Sequence, residues 1–201
     1  SYEFSHPDAA RVIVRQYFHD RPSQSRGSWT IDRVDAGAES TSTAPSRLPG
    51  SAEMGFRIAN AAKSFRWNAQ LNELWTPELR DAPNHFVRQT ADDIVAAIPN
   101  PDVVYSTTWW KLADDEVLVI DFTPPETRYW GLQLCDRWFQ CFPDRRSNIN
   151  NGIAAVNADG SVRIVLSDGD PGVPNWLDTS GHRTGVLFFR WLHADPAEQP
   201  V

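Results

Sequence analysis

The rhythm of hydrophobic positions along this chain changes near Pro99. In residues 7–19, Pro7 lies near the start of a segment whose Val12, Ile13, Tyr17 and Phe18 make an apolar side, which predicts a short helix. Ser28 to Val34 reads as a first strand, and residues 35–51, rich in Ala, Ser, Thr, Gly and Pro, read as a linker or exposed loop. From about Ala52 to Trp75, Phe56, Ile58, Ala59, Ala62, Phe65 and Ala69 recur at helical spacing, while Arg57, Lys63 and Arg66 face elsewhere. Thr76-Pro77 and Ala82-Pro83 end that region.

Beyond Pro99 the pattern is that of strands. Val103 to Trp110 and Glu116 to Thr123 alternate or run apolar, with β-branched and aromatic residues, around Ala113-Asp114-Asp115. Pro124-Pro125 interrupts, and Arg128 to Phe142 resumes as one long aromatic strand. Ile153 to Val156 and Val162 to Leu166 flank Asn157-Ala158-Asp159-Gly160, a hairpin turn in which Asp-Gly supplies positive φ. Asp170 to His182 forms a polar loop, and Gly185 to Leu192 a closing strand. The expectation is an α+β chain: a mainly helical segment over 1–98, then an antiparallel β-sandwich or jelly-roll-like domain over 99–201. No GxGxxG, Walker loop or solenoid repeat is present.

Composition narrows the function classes. A net charge of −7 over 201 residues leaves no basic surplus to neutralise phosphates, so neither nucleic acid nor an anionic membrane is an expected partner. No run of about 18 apolar residues would span a bilayer. No signal peptide is evident and the first residue is Ser1, so the expectation is a cytoplasmic protein, with a start open to being cut, tagged or processed. Cys135 and Cys141, six extended steps apart, would be separated by roughly 20 Å. A disulfide needs Cα atoms within about 7 Å, so these two pair only if the chain folds back between them.

Two groups of motifs carry a family resemblance. The first is Pro99-Asn100-Pro101-Asp102-Val103-Val104-Tyr105-Ser106, then Thr107-Thr108-Trp109-Trp110, then Arg128-Tyr129-Trp130-Gly131-Leu132-Gln133-Leu134. The second is Asp159-Gly160-Ser161-Val162-Arg163-Ile164, Pro174-Asn175-Trp176-Leu177 and Phe189-Arg190-Trp191. Together they resemble uncharacterised bacterial proteins with paired domains DUF 1254 and DUF 1214, mainly the latter over residues 99–196. The resemblance implies a jelly-roll-like antiparallel fold, often preceded by a helical or second β segment in a longer protein. It implies no activity.

The candidate chemistry is sparse. Asp178 and His182 suggest a carboxylate-oriented imidazole acting as general base, or else an Asx-type turn capped by the His. Asp136 would be the odd polar residue on the face shared by Trp130, Leu132, Leu134 and Trp138, hence an ion-pair partner of Arg128 or Arg190 or a proton-holding acid. Nine tryptophans suit either a heavily aromatic core or a cavity lined by rings. The five histidines form no HxH or HxxxH pair, so no metal and no cofactor are expected.

The reading these features favour is binding of a small apolar or aromatic molecule. The expected ligand contacts are Tyr105, Trp109, Arg128, Trp130, Asn148, Asn150, Asn175, Trp176 and Arg190. The alternatives are a hydrolase or lyase using the His182–Asp178 pair, and an assembly module that meets a missing N-terminal half or forms a homo-oligomer.

Overall fold

The computed structural model describes residues 13–30, 48, 50–75, 77–89, 102–142 and 146–195, without the side chains of 68 and 71–75. Two helices, α1 (Ser51–Trp75) and α2 (Pro77–Asp81), precede the strands. These are β1 (Val87–Gln89), β2 (Val103–Lys111), β3 (Leu118–Phe122), β4 (Tyr129–Cys135), β5 (Asn148–Asn150), β6 (Val162–Ser167), β7 (Trp176–Asp178) and β8 (Thr184–Leu192).

The strands form a five-stranded sheet in the order β1-β2-β8-β4-β5 and a three-stranded sheet in the order β3-β6-β7. All pairings are antiparallel except β6 with β7. No strand is shared, so the sheets face each other as a sandwich and do not close into a barrel. The chain is mainly β with a helical lead-in, the α+β class its sequence predicts.

Alternation sends Trp110, Leu132, Leu134, Leu187, Phe189 and Trp191 to the inner face of the larger sheet, where they meet Ile120, Phe122, Val162, Ile164 and Leu166 of the smaller. Phe122 is the hub, with edge contacts to Trp130, Phe189 and Trp191 at centroid distances of 5.2, 5.1 and 5.8 Å. A second cluster lies on the outer face of the larger sheet, where Leu79 of α2 covers Trp109, Cys135 and Val186. Strand β2 is therefore buried on both faces from Ser106 to Trp110, which explains its nearly continuous β-branched and aromatic run.

Several expectations are corrected. The described part of the first expected helix, residues 13–19, carries no helix, and neither do residues 28–30 form a strand; the remainder of both lies outside the described residues. Residues 13–20 instead cross the larger sheet, where Asn150 Nδ2 donates to His19 O at 2.9 Å and Tyr17 packs on Tyr129 at 5.1 Å. Ile153 to Val156 is a loop, because Asn150 Oδ1 and C=O draw in the backbone N–H groups of Gly152, Ile153 and Ala154 and close a turn. The Asn157–Gly160 turn does form, with Gly160 at φ 84°, although only β6 leaves it as a strand.

The expected strand from 128 to 142 stops at Cys135. Asp136 Oδ1 accepts the backbone N–H groups of Trp138 (2.7 Å) and Gln140 (2.9 Å), turning the chain so that Cys141 bridges back to Cys135. Asp136 is thus the half-buried organiser of a turn, not a polar intruder on an apolar face. The left-handed residue of the turn is Phe139 (φ 61°), held by packing on the Trp109 cluster.

Candidate functional site

Five of the expected ligand residues share the outer face of the larger sheet. Register places Tyr105 opposite Arg190, Arg190 opposite Gly131, and Gly131 opposite Asn150; Trp109 and Asn148 lie on the same face by alternation. Tyr105 stacks on Phe188 at 5.0 Å, and the Arg190 guanidinium lies 4.6 Å over the same ring. Burial pushes the Tyr105 phenol above its ordinary value, Tyr17 adds to the shift, and the charges of Arg15 and Arg190 oppose it. Tyr129 is raised too, by burial first, with Arg190 opposing. Asn150 is committed to holding residues 18–19, whereas Asn148 is exposed.

The other four lie elsewhere. Trp130 is 2% exposed in the core between the sheets. Arg128 is exposed beside Glu126, Thr127, His193 and Asp195 around a cavity of about 440 Å³, where two carboxylates share the rim with the cations. Asn175 commits its side chain to the backbone: its Nδ2 donates to Ala155 O (2.7 Å) and Arg163 O (2.9 Å), and its Oδ1 accepts Ala155 N–H (2.7 Å). That is a staple between the 154–155 loop and β6. Trp176 Nε1 donates to Ser167 O at 3.3 Å across β6 and β7.

Asp178 ends β7, and His182 lies in the loop between β7 and β8. Asp178 Oδ1 accepts Ser180 N–H at 2.7 Å, and the exposed His182 ring packs on Phe142 at 4.9 Å. His182 N–H closes the turn onto Thr179 O at 3.0 Å. Among the described residues, no group of three or more His, Cys, Asp or Glu side chains is arranged to hold a metal ion.

The cavity with the most directed chemistry surrounds Trp109. It has a volume of about 450 Å³ and is lined by Arg80, Trp109, Lys111, Leu112, Arg137, Arg183 and Thr184. Leu79 anchors α2, 3% exposed, so that Arg80 lies 4.6 Å over the Trp109 ring. Asn84 ties the end of α2 to β2, with its Nδ2 donating to Lys111 O and its Oδ1 accepting Lys111 N–H, both at 2.9 Å. The Asp136 turn brings in Arg137. Arg183 reaches the rim from the start of β8 and is paired with Asp114 (3.0 Å) and Asp168 (3.5 Å). Thr184 Oγ1 is buried there without a hydrogen-bond partner.

Of this cavity's lining, the expected ligand contacts included Trp109 alone, and Arg137 drew notice only as a neighbour of Asp136. Arg80, Lys111, Arg137 and Arg183 are far apart in the chain and form no local run; the docking of α2, the Asp136 turn and the pairing of β2 with β8 gather them. The one local clue was Asp136, whose side chain can start a turn. Phe139 hid it, since a left-handed position occupied by Phe has no turn signature.

Comparison with known proteins agrees with this architecture. The family model described as "Protein of unknown function (DUF1254)" matches residues 83–200, more than half of the chain. The chain belongs to that family. The match takes in the whole of residues 99–196; of the two paired domains, DUF1254 is the one shown. A solved structure of an uncharacterised protein from Burkholderia cenocepacia is 32% identical with a TM-score of 0.77, over 92% of this chain and 49% of that one. The chain therefore spans about half the length of that relative. The VPA0106 protein from Vibrio parahaemolyticus is 17% identical with a TM-score of 0.43, over 75% of this chain and 43% of that one. None of the curated proteins compared with the chain matches it. No helix among the described residues is long and apolar enough to cross a membrane.

Proposed function

We propose that this protein binds a small molecule with an apolar, ring-bearing body and an anionic group, in the cavity at Trp109. The observation that carries the reading is the convergence of Arg80, Lys111, Arg137 and Arg183 on one aromatic-floored cavity in a chain whose net charge is −7. None of the lining residues is acidic, and Asp114 and Asp168 offset Arg183 from outside the cavity. The volume lies within the roughly 300–1,000 Å³ of small-molecule sites, and Trp109 lines it beside the unpartnered hydroxyl of Thr184. Guanidinium groups favour oxyanions such as carboxylates and sulfonates, two of whose oxygens they meet with paired donors.

Titration with anilinonaphthalene sulfonate, against uncharged N-phenylnaphthylamine, tests this. The sulfonate is expected to bind about tenfold more tightly, and Lys111→Ala or Arg137→Ala to weaken it about three- to tenfold, the discounted effect of one solvent-open charged contact. Equal binding of both probes, unaltered by either substitution, would remove the anion site.

A second reading, assembly with a further protein segment or a second copy, draws on α1. Its Phe56, Ile58 and Phe65 are 62–79% exposed, and the chain spans about half of its solved relative. Sedimentation of the isolated chain as a monomer at high concentration would count against self-assembly. The hydrolase or lyase reading would rest on His182 and Asp178, and no contact described above favours it over binding.

A further inference from the structure

We propose that Cys135 and Cys141 form a thiol–disulfide exchange site that reacts with small organic disulfides and closes reversibly to an intramolecular disulfide. The proposal is independent of ligand binding at Trp109.

The geometry begins with the turn. The chain leaves β4 at Cys135, turns through Asp136–Gln140 and returns at Cys141 as the antiparallel partner of Cys135. Asp136 N–H donates to Gln140 O at 3.0 Å, just inside the pair, so the cysteines occupy the close type of antiparallel position, with Cα atoms roughly 4.5 Å apart. That spacing falls within the range disulfides span. The sulfurs are 3.6 Å apart as free thiols. The turn is fixed by the two backbone N–H groups bound to Asp136 and by Phe139 packing on the Trp109 cluster, so the pair is held together rather than meeting by chance.

The two thiols are unequal. Cys141 is exposed, while Cys135 is 4% exposed beneath Leu79, Trp109 and Val186. A hydrogen bond from Cys135 pulls the Cys141 thiol down to about 6, Arg190 helps, and burial and Asp136 oppose. The same hydrogen bond, with burial, pushes Cys135 up. Cys141 is thus the attacking thiolate and Cys135 the resolving thiol.

The Cys141 thiolate attacks one sulfur of R–S–S–R, forming the mixed disulfide Cys141–S–S–R and expelling RS⁻. Cys135 then loses its proton to the released thiolate, attacks Cys141 Sγ and expels the second RS⁻, which takes a proton from water. Counting the proton that Cys141 gave to water on ionising, the protein has lost two protons and two electrons, and the small disulfide has become two thiols.

Incubation of the whole chain with oxidised glutathione, then acid quenching, alkylation under denaturing conditions and mass spectrometry, tests the proposal. The wild-type chain is expected to become two hydrogens lighter, with no glutathione attached and neither cysteine alkylated, and dithiothreitol should restore both thiols. Cys135→Ala should trap glutathione on Cys141, and Cys141→Ala should leave Cys135 unmodified in the folded protein. The alkylation rate of Cys141 should follow an apparent pKa of about 6 in the wild type and rise towards the ordinary thiol value of about 8.5 in Cys135→Ala. A wild-type chain that keeps glutathione on Cys141, dimerises through a disulfide or fails to react would overturn the proposal, as would a Cys141 pH profile unchanged by Cys135→Ala.

Discussion

Helix α1 and the β-sandwich hold apolar residues of the same kind and treat them in opposite ways. In the sandwich, Trp110, Leu134, Val162, Ile164 and Leu187 reach 0% exposure. In α1, Met54, Phe56, Ile58, Phe65 and Trp67 remain 43–79% exposed. The helix has its own hydrogen bonds and its Arg57–Glu53 pair at 2.6 Å, so it needs no sheet to satisfy its backbone. A strand has no such independence. The difference teaches that an apolar pattern declares what a segment has to bury, and pairing decides whether it is buried.

The sharpest way to break this comparison is at the hub of the core. Phe122→Ala should cost about 3–5 kcal/mol in denaturant unfolding, since it removes one ring that three others pack upon. A loss below about 1 kcal/mol would mean the two sheets do not share that core. Asn175→Ala should cost about 1–3 kcal/mol, because Ala155 and Arg163 lose three side-chain hydrogen bonds without replacement. If Asn175 served mainly to hold a ligand, the same substitution would leave stability unchanged and weaken binding instead.

In α1 the expected effect is smaller. Phe56→Ala or Phe65→Ala should change stability by no more than about 0.5 kcal/mol, the range of exposed positions. A loss of 2 kcal/mol or more would reveal that something covers the helix in solution. Smallest of all is the Asp121–Arg163 pair on the solvent face of β3 and β6, joined by two bonds of 2.7 Å. The Arg163 hydrogen bonds hold the Asp121 carboxyl below its unfolded value, so its contribution is present above that value and lost as pH falls through the folded one. Both groups are exposed and screened, so comparing Asp121→Asn with wild type should show a slight difference at neutral pH that vanishes in acid.

Much of the sandwich was legible in the chain. Strands β2, β3, β6 and β8 and helix α1 fall where alternation and helical spacing placed them, because each has enough apolar residues to outweigh local ambiguity. The short strands β1, β5 and β7 were not legible. Three residues carry too little periodicity, and each is a strand only because a longer neighbour supplies its hydrogen bonds. The candidate site was less legible still. Tyr105, Trp109 and Arg190 were singled out as rings and a charge, yet nothing in their spacing relates them to Arg80 or Arg183.

Local patterning therefore established the class of fold, the aromatic core and the family motifs, since these depend on which residues must leave water. Tertiary packing brought four cations to Trp109: β2 pairs with β8, α2 docks through Leu79, and the Asp136 turn carries Arg137 and returns Cys141 to Cys135. Apart from the local Asp136 turn, those groupings join distant segments, whose partners are chosen by the whole sheet and leave no mark on nearby residues.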